Sequence, residues 1–228
     1  MTRPLLVLRP QPGADATARK AASLGMQPVV APLFAVRAVA WEAPEAASCD
    51  ALMLTSANAA RHAGAQLARF AALRCYCVGA ATAAAARAAG ITDVIVSEGD
   101  ASALLSRVAA DGVAAVLHLA GREHRAVPAP GIAIERRIVY AAEPVAAFPA
   151  PALTALGQGA VALLHSPRAA TLFTTLCQAA GIDRHDVAIA ALSAQVRDAA
   201  GGDWRALAVA PRPDDDALLA AAAPLCDQ

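Results

Sequence analysis

The feature that most restricts what this chain can fold into is a repeat of its own pattern. Leu52-Met53-Leu54-Thr55-Ser56-Ala57-Asn58 and Ala162-Leu163-Leu164-His165-Ser166-Pro167-Arg168 are each an apolar run that ends in serine and opens a helix. Further on, Cys77-Val78-Gly79-Ala80-Ala81-Thr82-Ala83 aligns with Ala188-Ile189-Ala190-Ala191-Leu192-Ser193-Ala194, which sets Thr82 against Ser193 at a helix start. Both helices then stop at a glycine, Gly90 and Gly201. Ala103-Leu104-Leu105 and Ala217-Leu218-Leu219 close the correspondence. The offset stays at roughly 110 residues, the size of one small domain.

Within each copy, short apolar runs alternate with alanine-rich stretches. Strands are expected at 5–8, 28–31, 51–55, 75–78, 94–96, 113–119, 132–140, 161–165, 187–192 and 207–210. Helices are expected to start near Asp15, Asn58, Thr82, Ala101, Pro151, Arg168, Ser193 and Asp215. Alternation at this pace predicts parallel sheets flanked by helices, in two domains of flavodoxin or Rossmann type.

The first copy continues through Val116-Leu117-His118-Leu119-Ala120-Gly121-Arg122 and on to Tyr140, and the second has no room for these pieces. The N-terminus supplies them: Leu5 to Arg9 matches the strand before Arg122, and Gly25 to Val36 matches Gly131 to Val145. The expected organisation is a discontinuous domain of residues 1–36 and 146–228, with residues 47–138 inserted. Segments 37–46 and 139–145 would be the strands of a two-stranded hinge. Two tethers between two lobes imply a cleft.

Composition removes several classes of function. Basic and acidic residues balance at 19 each, which argues against a nucleic-acid partner. Lys20 is the sole lysine. The N-terminus opens on a short apolar run broken by Arg9 and Pro10, with no signal peptide. The uncharged stretch 144–167 is broken by Pro149, Pro151, Gly157 and Gly159, so no membrane span is expected. Cys49, Cys75, Cys77, Cys177 and Cys226 contain no Cys-x-x-Cys pair and read as buried free thiols of a cytoplasmic protein. The sequence lacks a Gly-x-Gly-x-x-Gly turn, a Walker loop and a nucleophile elbow. The histidines show no ligand spacing, although His118 and His124 flank one turn. Asp214-Asp215-Asp216 stands at a helix start, where the dipole alone accounts for it.

In parallel sheets ligands bind at the carboxyl ends of strands. The residues expected there are Arg9, Thr55, Ser56, Asn58, Gly79, Thr82, Gly121, Arg122, Ser166 and Ser193. Most offer hydroxyls or free backbone N–H groups, which suit carboxylates. Ser56, Thr82, Ser166 and Ser193 are equally accounted for as helix caps. Arg9, Arg122 and Arg125 could grip carboxylates or simply form surface ion pairs. Tyr140 ends an apolar strand at the expected hinge, where its phenol either packs or donates a proton.

Taken together, the chain resembles the uroporphyrinogen-III synthase family. The resemblance spans nearly the whole sequence. It rests on Leu8-Arg9-Pro10 leading to Pro32 and Phe34, on Leu54-Thr55-Ser56-Ala57-Asn58-Ala59, and on Val78-Gly79 with Thr82. It rests also on Leu119-Ala120-Gly121-Arg122, Val139-Tyr140, Leu164-His165-Ser166-Pro167, and Pro211 followed by Leu218-Leu219. His165 stands where threonine is commoner in that family, and Ala190-Ala191 replace a glycine-containing turn.

The resemblance implies a two-domain α/β enzyme whose N-terminal segment belongs to the C-terminal domain. It implies cyclisation of hydroxymethylbilane to uroporphyrinogen III, with loss of water and inversion of the terminal pyrrole ring, and no metal or organic cofactor. Tyr140 would help the leaving hydroxyl, and the strand-end residues would hold the substrate's carboxylates. A monomer is expected, in transient contact with the enzyme that makes this unstable substrate. The rival readings are a non-enzymatic two-lobed module that binds small anions, and a sugar-phosphate enzyme of flavodoxin type.

Overall fold

The computed structural model describes residues 2–124 and 127–227. The chain divides into two compact units, one formed by Met1–Ala35 with Glu143–Gln228, the other by Val36–Ala142.

The first unit is built on β1 (Leu5–Val7), β2 (Pro28–Val30), β9 (Val161–Leu164), β10 (Ala188–Ala191) and β11 (Ala206–Val209), in the order β11-β10-β9-β1-β2. Every pairing is parallel. The N-terminal strand β1 is therefore central, between β2 and β9. Leu5, Leu6, Val7 and Leu8 are fully buried, as expected for a strand covered by helices on both faces. Burying four such side chains contributes on the order of 8 kcal/mol, so the unit depends on its first residues.

Five helices cover this sheet: α1 (Gly13–Ser23), α5 (Ala150–Gly157), α6 (Pro167–Ala179), α7 (Ala194–Ala200) and α8 (Asp215–Cys226). Three of them, α6, α7 and α8, start at side-chain caps. Ser166 Oγ accepts from the Ala169 amide at 3.2 Å, with Pro167 opening α6. Ser193 Oγ accepts from Val196 at 3.4 Å, and Asp214 Oδ1 accepts from Ala217 at 2.8 Å.

The other sheet has the order β3-β8-β7-β4-β5-β6, from β3 (Phe34–Ala38), β4 (Ala51–Leu54), β5 (Arg74–Val78), β6 (Val94–Ser97), β7 (Ala115–Gly121) and β8 (Ala133–Pro144). Helices α2 (Ala57–His62), α3 (Gly79–Ala88) and α4 (Ala101–Ala110) follow β4, β5 and β6. Leaving β3 aside, β8-β7-β4-β5-β6 repeats the order β2-β1-β9-β10-β11, with the chain entering at a different strand. Apolar layers pack on both faces, one around Leu52, Leu54, Phe70 and Leu117, the other around Met53, Tyr76 and Leu104. Cys75 and Cys77 share a face of β5 with their sulfurs 3.6 Å apart, and all five cysteines are free and buried.

Some expectations need correction. The strand expected from 37 to 46 is β3, which ends at Ala38. The stretch after it is held by Trp41, whose Nε1 donates to the Ala63 carbonyl, and by Gln66, which caps Ala43 and Trp41. The Val39 amide still donates to the Val139 carbonyl, and beyond it side-chain anchoring replaces ladder pairing, next to Pro44. Thr82 does not start α3. The helix opens at Gly79 (φ +75°), and Thr82 lies inside it, 5% exposed. The pairing registers also separate Thr82 from Ser193: Leu54 pairs with Cys77 where Leu164 pairs with Ala191, so Ser193 corresponds to Gly79. Likewise Met53 pairs with His118 where Leu163 pairs with Val7, which sets Arg9 against Ala120 rather than Arg122. Among the described residues, no helix is long and apolar enough to cross a membrane.

Candidate active site

Each sheet has one place where neighbouring central strands send the chain to opposite sides, the position at which open α/β sheets bind ligands. In the inserted unit it lies between β4 and β7, and in the discontinuous unit between β1 and β9.

The inserted unit gathers most of the expected residues. Thr55 follows β4 directly. Ser56 caps α2, its Oγ accepting from the Asn58 amide at 3.2 Å, and the Asn58 side chain accepts from Arg61 at 3.4 Å. Gly121 ends β7, and the Arg122 amide donates to the Tyr140 carbonyl at 3.0 Å. The register between β7 and β8 slips here: Ala120 pairs with Ile138, but Gly121 pairs with Tyr140. This bulge re-aims the tyrosine. Its ring then lies flat on Gly121, where a Cβ would stand 2.5 Å from Cζ and 2.8 Å from the phenol oxygen. A residue with any side chain at 121 would push Tyr140 away. His62 lies near the same ring, centroids 6.3 Å apart and the planes tilted by 34°. Burial, with Arg61 adding to it, lowers the His62 pKa and favours its neutral form.

Beneath these residues lies a polar chain that the sequence did not disclose. His118, on the central strand β7, is 2% exposed. Its Nε2 is 3.2 Å from Thr55 Oγ1, and Arg136 Nε donates to its Nδ1 at 3.3 Å. Burial lowers its pKa to about 4, with Arg136 and His124 adding repulsion. His118 and His124 do approach, ring centroids 6.4 Å apart and edge-on, but His124 Nδ1 contacts the Gly121 carbonyl at 3.0 Å. Among the described residues no group of three or more metal-ligating side chains occurs. The signal for this chain was a lone histidine in an otherwise apolar strand, a pattern that by itself has no partner.

In the discontinuous unit, the corresponding place is filled by the protein's own charges. Arg9 Nη1 donates to both Asp215 oxygens, at 2.9 and 3.0 Å, and Thr17 Oγ1 donates to Oδ2 at 2.6 Å. The Arg9 guanidinium covers Gly13, where a Cβ would meet Nε at 2.7 Å. His165, its side chain 8% exposed, brings Nε2 to 3.3 Å from Asp215 Oδ1, an ion-pair distance without a hydrogen bond; neither ring nitrogen has a hydrogen-bond partner among the described residues. His165, then Thr17 and Arg9, hold the Asp215 carboxyl well below the usual carboxylate range despite desolvation. Asp215 is thus more than a dipole partner at a helix start. Ser166 and Ser193 are caps in this unit, as described above. Arg125 lies outside the described residues.

A family model described as uroporphyrinogen-III synthase HemD matches residues 15–220. No curated protein matches the sequence. Three solved structures of uroporphyrinogen III synthase from Thermus thermophilus are similar in outline. A mutant, selenomethionine form is 17% identical with TM-score 0.47, both chains fully covered. A wild-type native form is 16% identical with TM-score 0.41, covering 100% of this chain and 97% of the other. A third is 16% identical with TM-score 0.43, both chains fully covered.

Proposed function

Because the chain belongs to the uroporphyrinogen-III synthase family and cyclises hydroxymethylbilane to uroporphyrinogen III in haem biosynthesis, we propose that the strand-end crevice of the inserted unit holds the reacting end of this tetrapyrrole, with Tyr140 as proton donor. The substrate loses a hydroxyl, closes through a spiro intermediate and inverts its last ring. Tyr140 gives its phenolic proton to the departing hydroxyl, which leaves as water while the pyrrole nitrogen supplies the electron pair. A proton lost from the pyrrole carbon on closure restores the phenol. The remaining task is orientation, because the free substrate also closes to the uninverted isomer.

The observation that carries this reading is the bulge that seats Tyr140 on Gly121 beside the ends of β4 and β7. Thr55, Ser56, Asn58, Gly79, Gly121 and Arg122, with Ser166 and Ser193 in the other unit, are the proposed contacts for the substrate's carboxylates. Arg9 and Thr82 are not among them, since Arg9 is engaged by Asp215 and Thr82 is buried. The enzyme is proposed to act as a cytoplasmic monomer that receives its unstable substrate from the enzyme that makes it. The family match does not favour the non-enzymatic binding module.

Tyr140→Phe should lower the rate of type III product by about a hundredfold or more, leave melting unchanged, and let the spontaneous type I isomer dominate when fresh hydroxymethylbilane is supplied. Normal turnover and normal isomer ratio in this variant would remove Tyr140 from the chemistry.

A further inference from the structure

Thr55 follows β4 at the ligand-binding side of its sheet, and its hydroxyl meets the ring of a histidine buried in the adjacent strand. What that hydroxyl can do depends on which nitrogen of His118 carries the proton, and Arg136 decides this. A guanidinium has donors only and does not lose its charge in proteins. Since Arg136 Nε points at His118 Nδ1 at 3.3 Å, Nδ1 must present its lone pair. The proton of the neutral ring is then on Nε2, and Nε2 donates to Thr55 Oγ1 at 3.2 Å. A hydroxyl that accepts through its oxygen keeps its own hydrogen for a further acceptor. Thr55 is half-buried at a strand end, so that hydrogen is available to a ligand.

We propose that His118 is a positioning residue, set by Arg136 so that the Thr55 hydroxyl hydrogen is left free to donate to a substrate carboxylate. The proposal rests on the reading that Thr55 faces the substrate. Its internal logic does not: the tautomer follows from the protein alone. A neutral ring is also what the surroundings favour, because burial and the charge of Arg136 both oppose a second proton, and His124 stands edge-on beside it. The arrangement leaves the Thr55 hydrogen free for an acceptor, whereas the opposite tautomer would draw that hydrogen to Nε2.

Two measurements test this separately. In the full chain labelled with nitrogen-15, the ring shifts of His118, assigned by their loss in His118→Gln, should show a protonated Nε2 and a pyridine-type Nδ1. A protonated Nδ1 would overturn the proposal whatever the substrate does. The second compares amide replacements. Gln reaches the place of Nε2 and can still donate to Thr55, whereas Asn reaches only the place of Nδ1. His118→Asn should raise KM about tenfold with kcat little changed, the loss of one substrate hydrogen bond, and His118→Gln should recover most of it. Equal KM in the wild type and both variants, with the expected tautomer seen, would sink the role in substrate positioning. A failure of Tyr140→Phe to affect turnover, by contrast, bears on the site reading and leaves the tautomer result standing.

Discussion

The two strand-end crevices are laid out on one register and filled with opposite chemistry. Met53 pairs with His118 where Leu163 pairs with Val7, and His118 pairs with Arg136 where Val7 pairs with Val30. The polar pair inside the inserted sheet is thus an apolar pair in the discontinuous one. Conversely, Arg9 and His165 of the discontinuous unit correspond to Ala120 and Thr55 of the inserted one, and the carboxylate that binds Arg9 comes from the start of α8. One crevice is polar below and ends in a hydroxyl. The other is apolar below and closes its charges on themselves.

The difference separates scaffold from chemistry. A carboxylate that accepts from Arg9 and Thr17 and touches His165 has most of its capacity used, so the Arg9 cluster ties β1, α1, β9 and α8 together. In the inserted unit the buried groups are satisfied one by one from Arg136 outward, and the last of them, Thr55, keeps a hydrogen to give. A buried polar residue inside a strand is costly unless paired. Its presence at 118, where Val7 shows that an apolar side chain fits the same fold, indicates that the position is used.

Acid should split the two units, and this is the largest effect expected. Folded His118 takes its proton at about 4 against an ordinary 6.5. Between these values the unfolded chain binds more protons. Stability is therefore fully present above pH 6.5 and is lost as pH falls toward 4, by about 3 kcal/mol in the inserted unit. Asp215 works in a lower window. Its depressed carboxyl contributes stability above the ordinary value of 3.8 and loses it only as pH falls below that. The chain has one tryptophan in each unit, Trp41 in the inserted one and Trp204 in the other. Urea unfolding of single-tryptophan variants should show the Trp41 transition moving between pH 7 and 4 while the Trp204 transition moves less. His118→Gln should flatten the first. A Trp41 transition insensitive to this pH range would mean that His118 is not a buried neutral base.

Asp215→Ala sharpens the comparison from the other side. It removes the carboxylate to which Arg9 and Thr17 both donate and should destabilise the discontinuous unit by about 2 kcal/mol, given the partial exposure of Arg9. The Trp204 transition should shift and the Trp41 transition should not. If neither moved, the cluster would have no structural weight, and Arg9 would return as a candidate for the substrate.

The fold was legible because its signals are local and repeated. Apolar runs of three to five residues, Ser56, Ser166 and Ser193 at helix starts, and glycine at helix ends each mark an element, and the displaced N-terminal pieces identify β1 and β2 as part of the distant sheet. The site was legible only in part. The strand ends follow from topology, so Thr55, Gly121 and Tyr140 could be named. The bulge that seats Tyr140 is a one-residue slip with no sequence mark of its own. Arg9 and Asp215 are over two hundred residues apart, and Arg136 meets His118 only through the β7–β8 register. Alanine-rich sequence also hides register: the alignment of Thr82 with Ser193 is plausible residue by residue, and strand pairing replaces it with Gly79.

That replacement gives the smallest and most asymmetric test. Gly79 and Ser193 occupy the same place, yet the backbone at Gly79 has φ +75° and that at Ser193 is extended, φ −159°. The serine cap works by accepting from Val196 in the extended form; the glycine opens α3 by a backbone turn that a Cβ resists, although open space surrounds it. Gly79→Ser should therefore destabilise the inserted unit by about 1–2 kcal/mol through backbone strain, whereas Ser193→Gly should cost the other unit only about a few tenths of a kcal/mol. Equal effects from the two exchanges would mean that Gly79 relaxes to the extended form without strain, and the two helix starts would then be interchangeable.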